Sequence, residues 1–134
     1  MFLLDTDTCI FLIKNSPIPV QHLARHVPEE IFLCAIVKAE LAWGVRKSQQ
    51  VAHNLNALEQ FCSPFVSRAF DDVAAMEYGL IRADLQRQGT PIGPNDLFIA
   101  AIARAHDLTL ITHNTREFCR VVGLKLEDWQ LPVR

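Results

Sequence analysis

The sequence lacks several features that would each identify a class of protein. Its four cysteines form no CxxC pair and no zinc-binding spacing, so we expect reduced thiols, mostly buried as small apolar groups (Cys9, Cys34, Cys62 and Cys119). No apolar run approaches the ~18 residues that span a bilayer, and the amino terminus has no basic segment followed by a long apolar one. We therefore expect a cytoplasmic protein without a signal peptide or membrane segment.

A basic excess is also missing. The formal net charge is −2, from 13 Lys and Arg against 15 Asp and Glu. Nucleic-acid-binding domains are usually basic, so this balance argues mildly against one. The argument weakens if the acidic residues surround a metal ion, because the bound cation would neutralise them.

The chain does contain enough apolar sequence for one packed domain of residues 1–134. Half of its residues are hydrophobic and 21% are charged, which is typical of a globular protein. Apolar runs predict strands at 1–4, 31–35, 65–70 and 109–112, with a short edge strand at 124–126. Helical patterns fall at 8–14, 20–26, 37–47, 48–61, 72–88 and 94–106. This alternation predicts an α/β fold with a twisted, mostly parallel sheet of four to five strands and helices on both faces.

Four acidic residues stand in separate motifs beside apolar runs. Asp5 ends the first strand, Glu40 lies in an apolar helix, Asp96 follows Gly93 and Pro94, and Glu117 ends the run Thr112-His113-Asn114-Thr115-Arg116-Glu117. A carboxylate cluster without His or Cys suits Mg²⁺ or Mn²⁺. Such a site can hold a water against a phosphodiester, so these four residues are the predicted metal ligands and catalytic groups of a nuclease.

Each acidic residue also has an ordinary structural interpretation. Asp5 could cap a helix, although we favour Asp7 as the cap of the helix at 8–14. Glu40 could be a solvated surface residue. With Gly93 as N-cap and Pro94 first in the helix, Asp96 falls at the third helical position, where the helix dipole favours a carboxylate.

Residues 112–117 carry a similar ambiguity. The spacing of Asn114 and Glu117 is close to a capping box, which would explain both without chemistry. Thr6, Thr112 and Asn114 are predicted to contact substrate or a metal-bound water. Trp43 and Trp129 are interpreted as packing groups, and none of the five histidines has metal-binding spacing.

Together these motifs resemble the PIN-domain nucleases, and more narrowly the VapC-type ribonuclease toxins. The matching stretches cover nearly the whole chain in order: 3–10, 40–44, 81–85, 88–96, 99–100, 112–118 and 123–129. The resemblance assigns Asp5, Glu40 and Asp96 to the three most characteristic acidic positions and Glu117 to a frequent fourth. Many PIN domains have Asp where this chain has Asn114, which removes a charge from any second metal site, and Ser or Thr where it has Ala35, which weakens the cap of the Glu40 helix.

The resemblance implies Mg²⁺-dependent endonucleolytic cleavage of RNA by a toxin. The similar subgroup includes toxins that cut initiator tRNA in its anticodon stem-loop, so tRNA is the expected substrate. It also implies a VapB-like antitoxin that places a side chain into the acidic pocket, a toxin homodimer and larger toxin–antitoxin assemblies.

Two other functions fit parts of the sequence. Asp5-Thr6-Asp7-Thr8 matches the nucleophile motif of haloacid-dehalogenase-like phosphatases, in which Asp5 would attack phosphate. Alternatively, the chain could be a catalytically silent PIN-like binding module. The later acidic motifs would have no role in either.

Overall fold

The computed structural model describes every residue from Met1 to Arg134, and strands alternate with helices along the chain. The strands are β1 (Phe2–Leu4), β2 (Ile31–Cys34), β3 (Val66–Arg68), β4 (Thr109–Ile111) and β5 (Leu126–Glu127). The helices are α1 (Thr6–Ile13), α2 (Pro17–Leu23), α3 (Ala35–Arg46), α4 (Val51–Cys62), α5 (Asp72–Gln88), α6 (Pro94–Ala105) and α7 (Thr115–Phe118), with a 3₁₀ turn at Pro28–Glu30.

The strands form one sheet in the order β3-β2-β1-β4-β5. All four strand pairings are parallel, so the sheet is fully rather than mostly parallel. The fifth strand lies at an edge, as the sequence predicts. The central pair β1 and β4 is joined in register from Phe2 with Thr109 to Leu4 with Ile111. Their carboxyl ends, Asp5 and Thr112, therefore lie side by side.

Helices cover both faces of the sheet centre. Successive side chains of a strand point to opposite faces, yet Leu3 and Leu4 of β1 and Leu33 and Cys34 of β2 are all fully buried. Burial of adjacent residues requires cover on both sides, as in other parallel sheets. The buried core also includes Trp129, at 1% exposure, which confirms its interpretation as a packing group.

Local signals account for the boundaries of α5 and α6. The Asp71 side chain accepts the Ala74 N–H at 2.9 Å, and Gly89 ends α5 in the left-handed conformation at φ 69°. Pro94 is the first residue of α6, where a backbone N–H would have no intrahelical acceptor, so its absence in proline costs no hydrogen bond. These boundaries confirm the prediction.

Several helix boundaries differ from the sequence prediction, and α4, for example, begins at Val51 rather than at residue 48. Helix α2 begins at Pro17 and has Pro19 in its first turn, whereas the sequence predicts a start at residue 20. The first N–H groups of a helix have no intrahelical acceptor, so proline is tolerated in the first turn. The short α7 was not predicted. No helix of the protein combines the length and apolar character needed to cross a membrane.

Candidate active site

The four predicted acidic residues converge on the carboxyl edge of the sheet. Asp5 follows β1, Glu40 lies on α3, Asp96 on the first turn of α6 and Glu117 on α7. A pocket of about 140 Å³ opens there, as expected for a parallel sheet. It is lined by Asp5, Thr6, Asp7, Glu40, Asp96, Asn114 and Phe118. Glu117 lies outside this lining, but its charge acts on Asp96.

Asp5 is buried where β1 meets α1. It is 6% exposed, and its Oδ1 accepts the Thr8 N–H at 2.9 Å, so it caps α1. Its own N–H donates to the Ile111 carbonyl at 3.0 Å, which fixes it beside β4. Burial raises the pKa of Asp5, and hydrogen bonding from Thr112 and Thr8 partly offsets this. Asp5 thus caps α1 and also lines the pocket.

The prediction that Asp7 caps the first helix is wrong. Asp5 takes that position because α1 begins at Thr6, two residues earlier than predicted. Asp7 instead falls in the first turn, is exposed and lines the pocket. The Asp-x-Asp spacing at a strand-to-helix junction is the sequence signal that could have identified it.

Glu40 is partly buried and is held by Thr6. The Thr6 hydroxyl donates to Glu40 Oε1 at 2.6 Å, which joins α1 to α3 across the pocket. Thr6 therefore contacts one of the predicted ligands. The N-cap of α3 is Cys34 and makes no side-chain hydrogen bond, in agreement with the weak cap expected from Ala35.

Asp96 experiences the strongest electrostatic perturbation in the pocket. It occupies the third position of α6, as predicted. Burial, and after it the charges of Glu117, Glu40, Asp5 and Asp7, together raise its pKa from 3.8 to about 6. All four neighbouring carboxylates are thus near enough to repel its ionised form.

The interpretation of Asn114 and Glu117 as a capping box is wrong. Asn114 precedes α7 but makes no side-chain cap, and its N–H donates to the Thr112 hydroxyl at 3.0 Å. Its side-chain Nδ2 instead donates to Glu117 Oε2 at 2.7 Å. Thr112, which is fully buried, thus orients Asn114, and Asn114 orients Glu117.

The donor set fits a hard divalent cation. Carboxylate oxygens from different elements face one small pocket, and neither His nor Cys lines it. As they stand, no three His, Cys, Asp or Glu side chains are close enough together to ligate one ion. The fit therefore rests on the chemistry of the donors and on the repulsion at Asp96, which a cation would relieve.

Some residues outside the pocket differ from expectation. Trp43 is 65% exposed, so its interpretation as a packing group is wrong. All four cysteines are free, with Cys9 and Cys34 buried and Cys119 exposed.

Comparison with known proteins places the chain among nucleases. Residues 2–124 match the PIN domain. The tRNA(fMet)-specific endonuclease VapC of Shigella flexneri is 44% identical, with 96% of this chain and 97% of the relative covered. The protein of the same name from Salmonella typhimurium is 41% identical, with the same coverage. The crystal structure of DNA-bound VapBC from Salmonella typhimurium superimposes with a TM-score of 0.90 at 41% identity, over 96% of this chain and 97% of the other. These matches favour a nuclease over a phosphatase or a silent binding module.

Proposed function

Because this chain belongs to the PIN-domain family and matches VapC ribonucleases over 96% of its length, we propose that it is a toxin of a toxin–antitoxin pair. Its activity is metal-dependent endonucleolytic cleavage of RNA. The substrate is the initiator tRNA, cut in the anticodon stem-loop, and cleavage stops translation in the cytoplasm.

One observation carries this proposal. Two relatives named as tRNA(fMet)-specific endonucleases align with nearly the entire chain at 44% and 41% identity, and the acidic pocket lies within the aligned fold. Identity at that level over a full domain supports a shared reaction, while the pocket supplies the groups that the reaction needs.

The proposed ligands of the catalytic Mg²⁺ are Asp5 and Asp96, with Glu40 and Glu117 binding directly or through water. Mn²⁺ has the same preference for oxygen ligands and is a substitute. When bound, the ion acidifies a coordinated water and offsets negative charge on the scissile phosphate. Asp5 is the most firmly positioned ligand, because its backbone and one oxygen are both hydrogen-bonded.

The remaining residues position the reacting groups. Glu40 Oε1 is held by Thr6 and Glu117 Oε2 by Asn114, so each carboxylate keeps its second oxygen available. One of these two oxygens orients the attacking water and accepts its proton. Thr112 supports this arrangement, because its hydroxyl accepts a hydrogen bond from the Asn114 backbone N–H.

We further propose that a VapB-like antitoxin neutralises the enzyme by inserting a side chain into the acidic pocket. The solved neighbour from Salmonella typhimurium is a VapBC complex, which supports such a partner here. A homodimer of this chain and a larger toxin–antitoxin assembly are part of the same proposal, since the resemblance to VapC toxins implies both.

Cleavage by the antitoxin-free protein tests the function. Purified protein is incubated with total tRNA and Mg²⁺, and the fragment ends are mapped. We expect discrete fragments of initiator tRNA that disappear with EDTA. Asp5→Asn should abolish cleavage while preserving the fold, because Asn also caps helices but carries no charge.

Asp84→Asn is the matched control. Asp84 is an acidic residue of α5 in an exposed pair with Arg87, away from the pocket, so its replacement should leave cleavage unchanged. Full activity of a folded Asp5→Asn protein would contradict the assignment of the site. Cleavage of ribosomal or messenger RNA but not tRNA would contradict the substrate, and absence of any cleavage would favour the silent module.

A further inference from the structure

Trp43 is the largest side chain that the fold leaves in water. It is 65% exposed, whereas Trp129, the other tryptophan, is 1% exposed. An indole presents a large apolar surface, and leaving it hydrated forgoes the free energy of burying it. Its exposure is therefore a feature that a binding partner would explain.

Trp43 lies about one helical turn from Glu40, which lines the acidic pocket. It follows Glu40 by three residues on α3, and side chains at this spacing are neighbours on a helix surface. Helical side chains also lean toward the helix amino terminus, so the indole lies over the turn that carries Glu40. The Lys47 side chain also points toward the amino terminus of α3, because its Nζ lies 3.7 Å from the centre of the Trp43 ring.

The surface around the indole is open. Ala39 and Ala42 are exposed small residues, and a Cβ added to Gly44 would meet nothing within 4 Å. Trp43 is 65% exposed even though the Lys47 ammonium lies over the centre of its ring. A planar group thus has room to stack on the indole.

The charge of this helix favours an anionic partner. Lys38, Arg46 and Lys47 lie on or directly after α3, and Glu40 is its only acidic residue. The whole chain has a net charge of −2, so the cations of α3 are a local exception. An aromatic ring beside cations is the arrangement with which proteins hold single-stranded nucleic acid.

We propose that Trp43 is a stacking site for a base of single-stranded RNA, with Lys47 contacting the phosphate next to that base. The site rests on the proposed function and adds to it a means of holding substrate. Four of the seven residues that line the pocket are carboxylates, which repel a phosphate backbone, whereas a stacked base binds through its uncharged face. The unpaired bases of an RNA loop offer such faces.

Binding without cleavage tests the proposal directly. The probe is a fluorescently labelled oligoadenylate of about eight nucleotides, titrated in EDTA so that no RNA is cut. We expect Trp43→Ala to bind it about ten-fold more weakly than the unaltered protein, and Trp43→Phe to recover most of that loss. Oligoadenylate should also quench the tryptophan fluorescence of the unaltered protein, and quenching should vanish in Trp43→Phe because the remaining Trp129 is buried.

Two matched controls separate stacking from other effects. An abasic oligomer of the same length keeps the phosphates but has no bases, so Trp43→Ala should not change its affinity. Leu80→Ala removes an exposed apolar side chain from α5, at 63% exposure, and should leave oligoadenylate binding unchanged.

Several outcomes would overturn the proposal. Equal binding of oligoadenylate by Trp43→Ala and the unaltered protein would do so, as would equal losses for the abasic oligomer. If sedimentation shows that Trp43→Ala dissociates a dimer and thereby weakens RNA binding, the indole belongs to a protein interface instead. Failure of the proposed function is distinguishable, because an unaltered protein that cleaves no RNA in Mg²⁺ would still show stacking in EDTA.

Discussion

Asp96 is subject to two opposing electrostatic effects. Its position on the first turn of α6 favours the ionised form through the helix dipole. Burial and the charges of four other carboxylates favour the protonated form, and they prevail, because the pKa rises to about 6. The site is thus built at a cost to the stability of the metal-free fold.

This balance predicts the effect of Asp96→Asn on stability. The folded pKa of Asp96 is above its ordinary value of 3.8, so the folded state binds the proton more tightly than the unfolded state does. The contribution of this group to stability is therefore present below about pH 4 and is lost as the pH rises through about 6. Asn keeps the shape without the charge, so at neutral pH it should raise the melting temperature of the metal-free protein by about 2–5 °C.

Thermal unfolding in EDTA, followed by circular dichroism from acidic to neutral pH, measures this effect. The gain should shrink toward pH 4. Asp72→Asn is the control, because Asp72 also lies in a first helical turn but is exposed. An equal gain in both proteins, or no gain for Asp96→Asn, would argue against carboxylate repulsion.

At the scale of elements, two glycines of α5 have opposite effects on the stability of the helix. Gly89 ends the helix at φ 69°, where a side chain strains the backbone, whereas Gly79 lies inside it. An added Cβ meets nothing within 4 Å at either position. Substitution at each site therefore changes backbone preference alone. Helix α5 also packs against α6, the helix that carries Asp96.

We predict opposite signs for two alanine substitutions in α5. Gly89→Ala should destabilise the protein by about 1 kcal/mol, because alanine disfavours the left-handed conformation. Gly79→Ala should stabilise it by about 0.5–1 kcal/mol, because glycine is a poor residue for a helix interior. Urea unfolding of both variants gives the two values. The same sign for both would show that the end of α5 does not depend on its left-handed residue.

At the scale of the whole molecule, the acidic pocket couples metal binding to folding. Asp5, Glu40, Asp96 and Glu117 come from four elements that meet only in the folded chain. A cation held by them binds the folded state and not the unfolded one, so it must raise the free energy of unfolding.

We therefore predict that Mg²⁺ raises the melting temperature at neutral pH. At ten times its dissociation constant the ion should add about 1.4 kcal/mol. The effect should be smaller below about pH 6, because protons compete for Asp96. Potassium chloride at equal ionic strength is the control. A similar rise in a protein carrying both Asp5→Asn and Asp96→Asn would mean that the ion binds elsewhere.

Much of the fold could be predicted from local signals. Apolar runs indicated the strands, and Asp71, Gly89 and Pro94 marked helix boundaries because caps and prolines act on the adjacent backbone. The four acidic positions were also recognisable, since each stands at the end of an apolar run or inside one. Prediction of helix starts was less successful where a cap was ambiguous, as between Asp5 and Asp7.

Sequence alone thus determined most of the elements, although not α7 or the start of α2, and it determined which carboxylates could act. Those properties depend on neighbours along the chain. Only the tertiary structure decided which side chains meet. The hydrogen bond from Thr6 to Glu40 spans 34 positions of the chain. The Asn114 backbone N–H donates to Thr112, and the Asn114 side chain donates to Glu117. The exposure of Trp43 could not be predicted from its neighbours in sequence either, because the burial of a helix face depends on which distant parts of the chain pack against it.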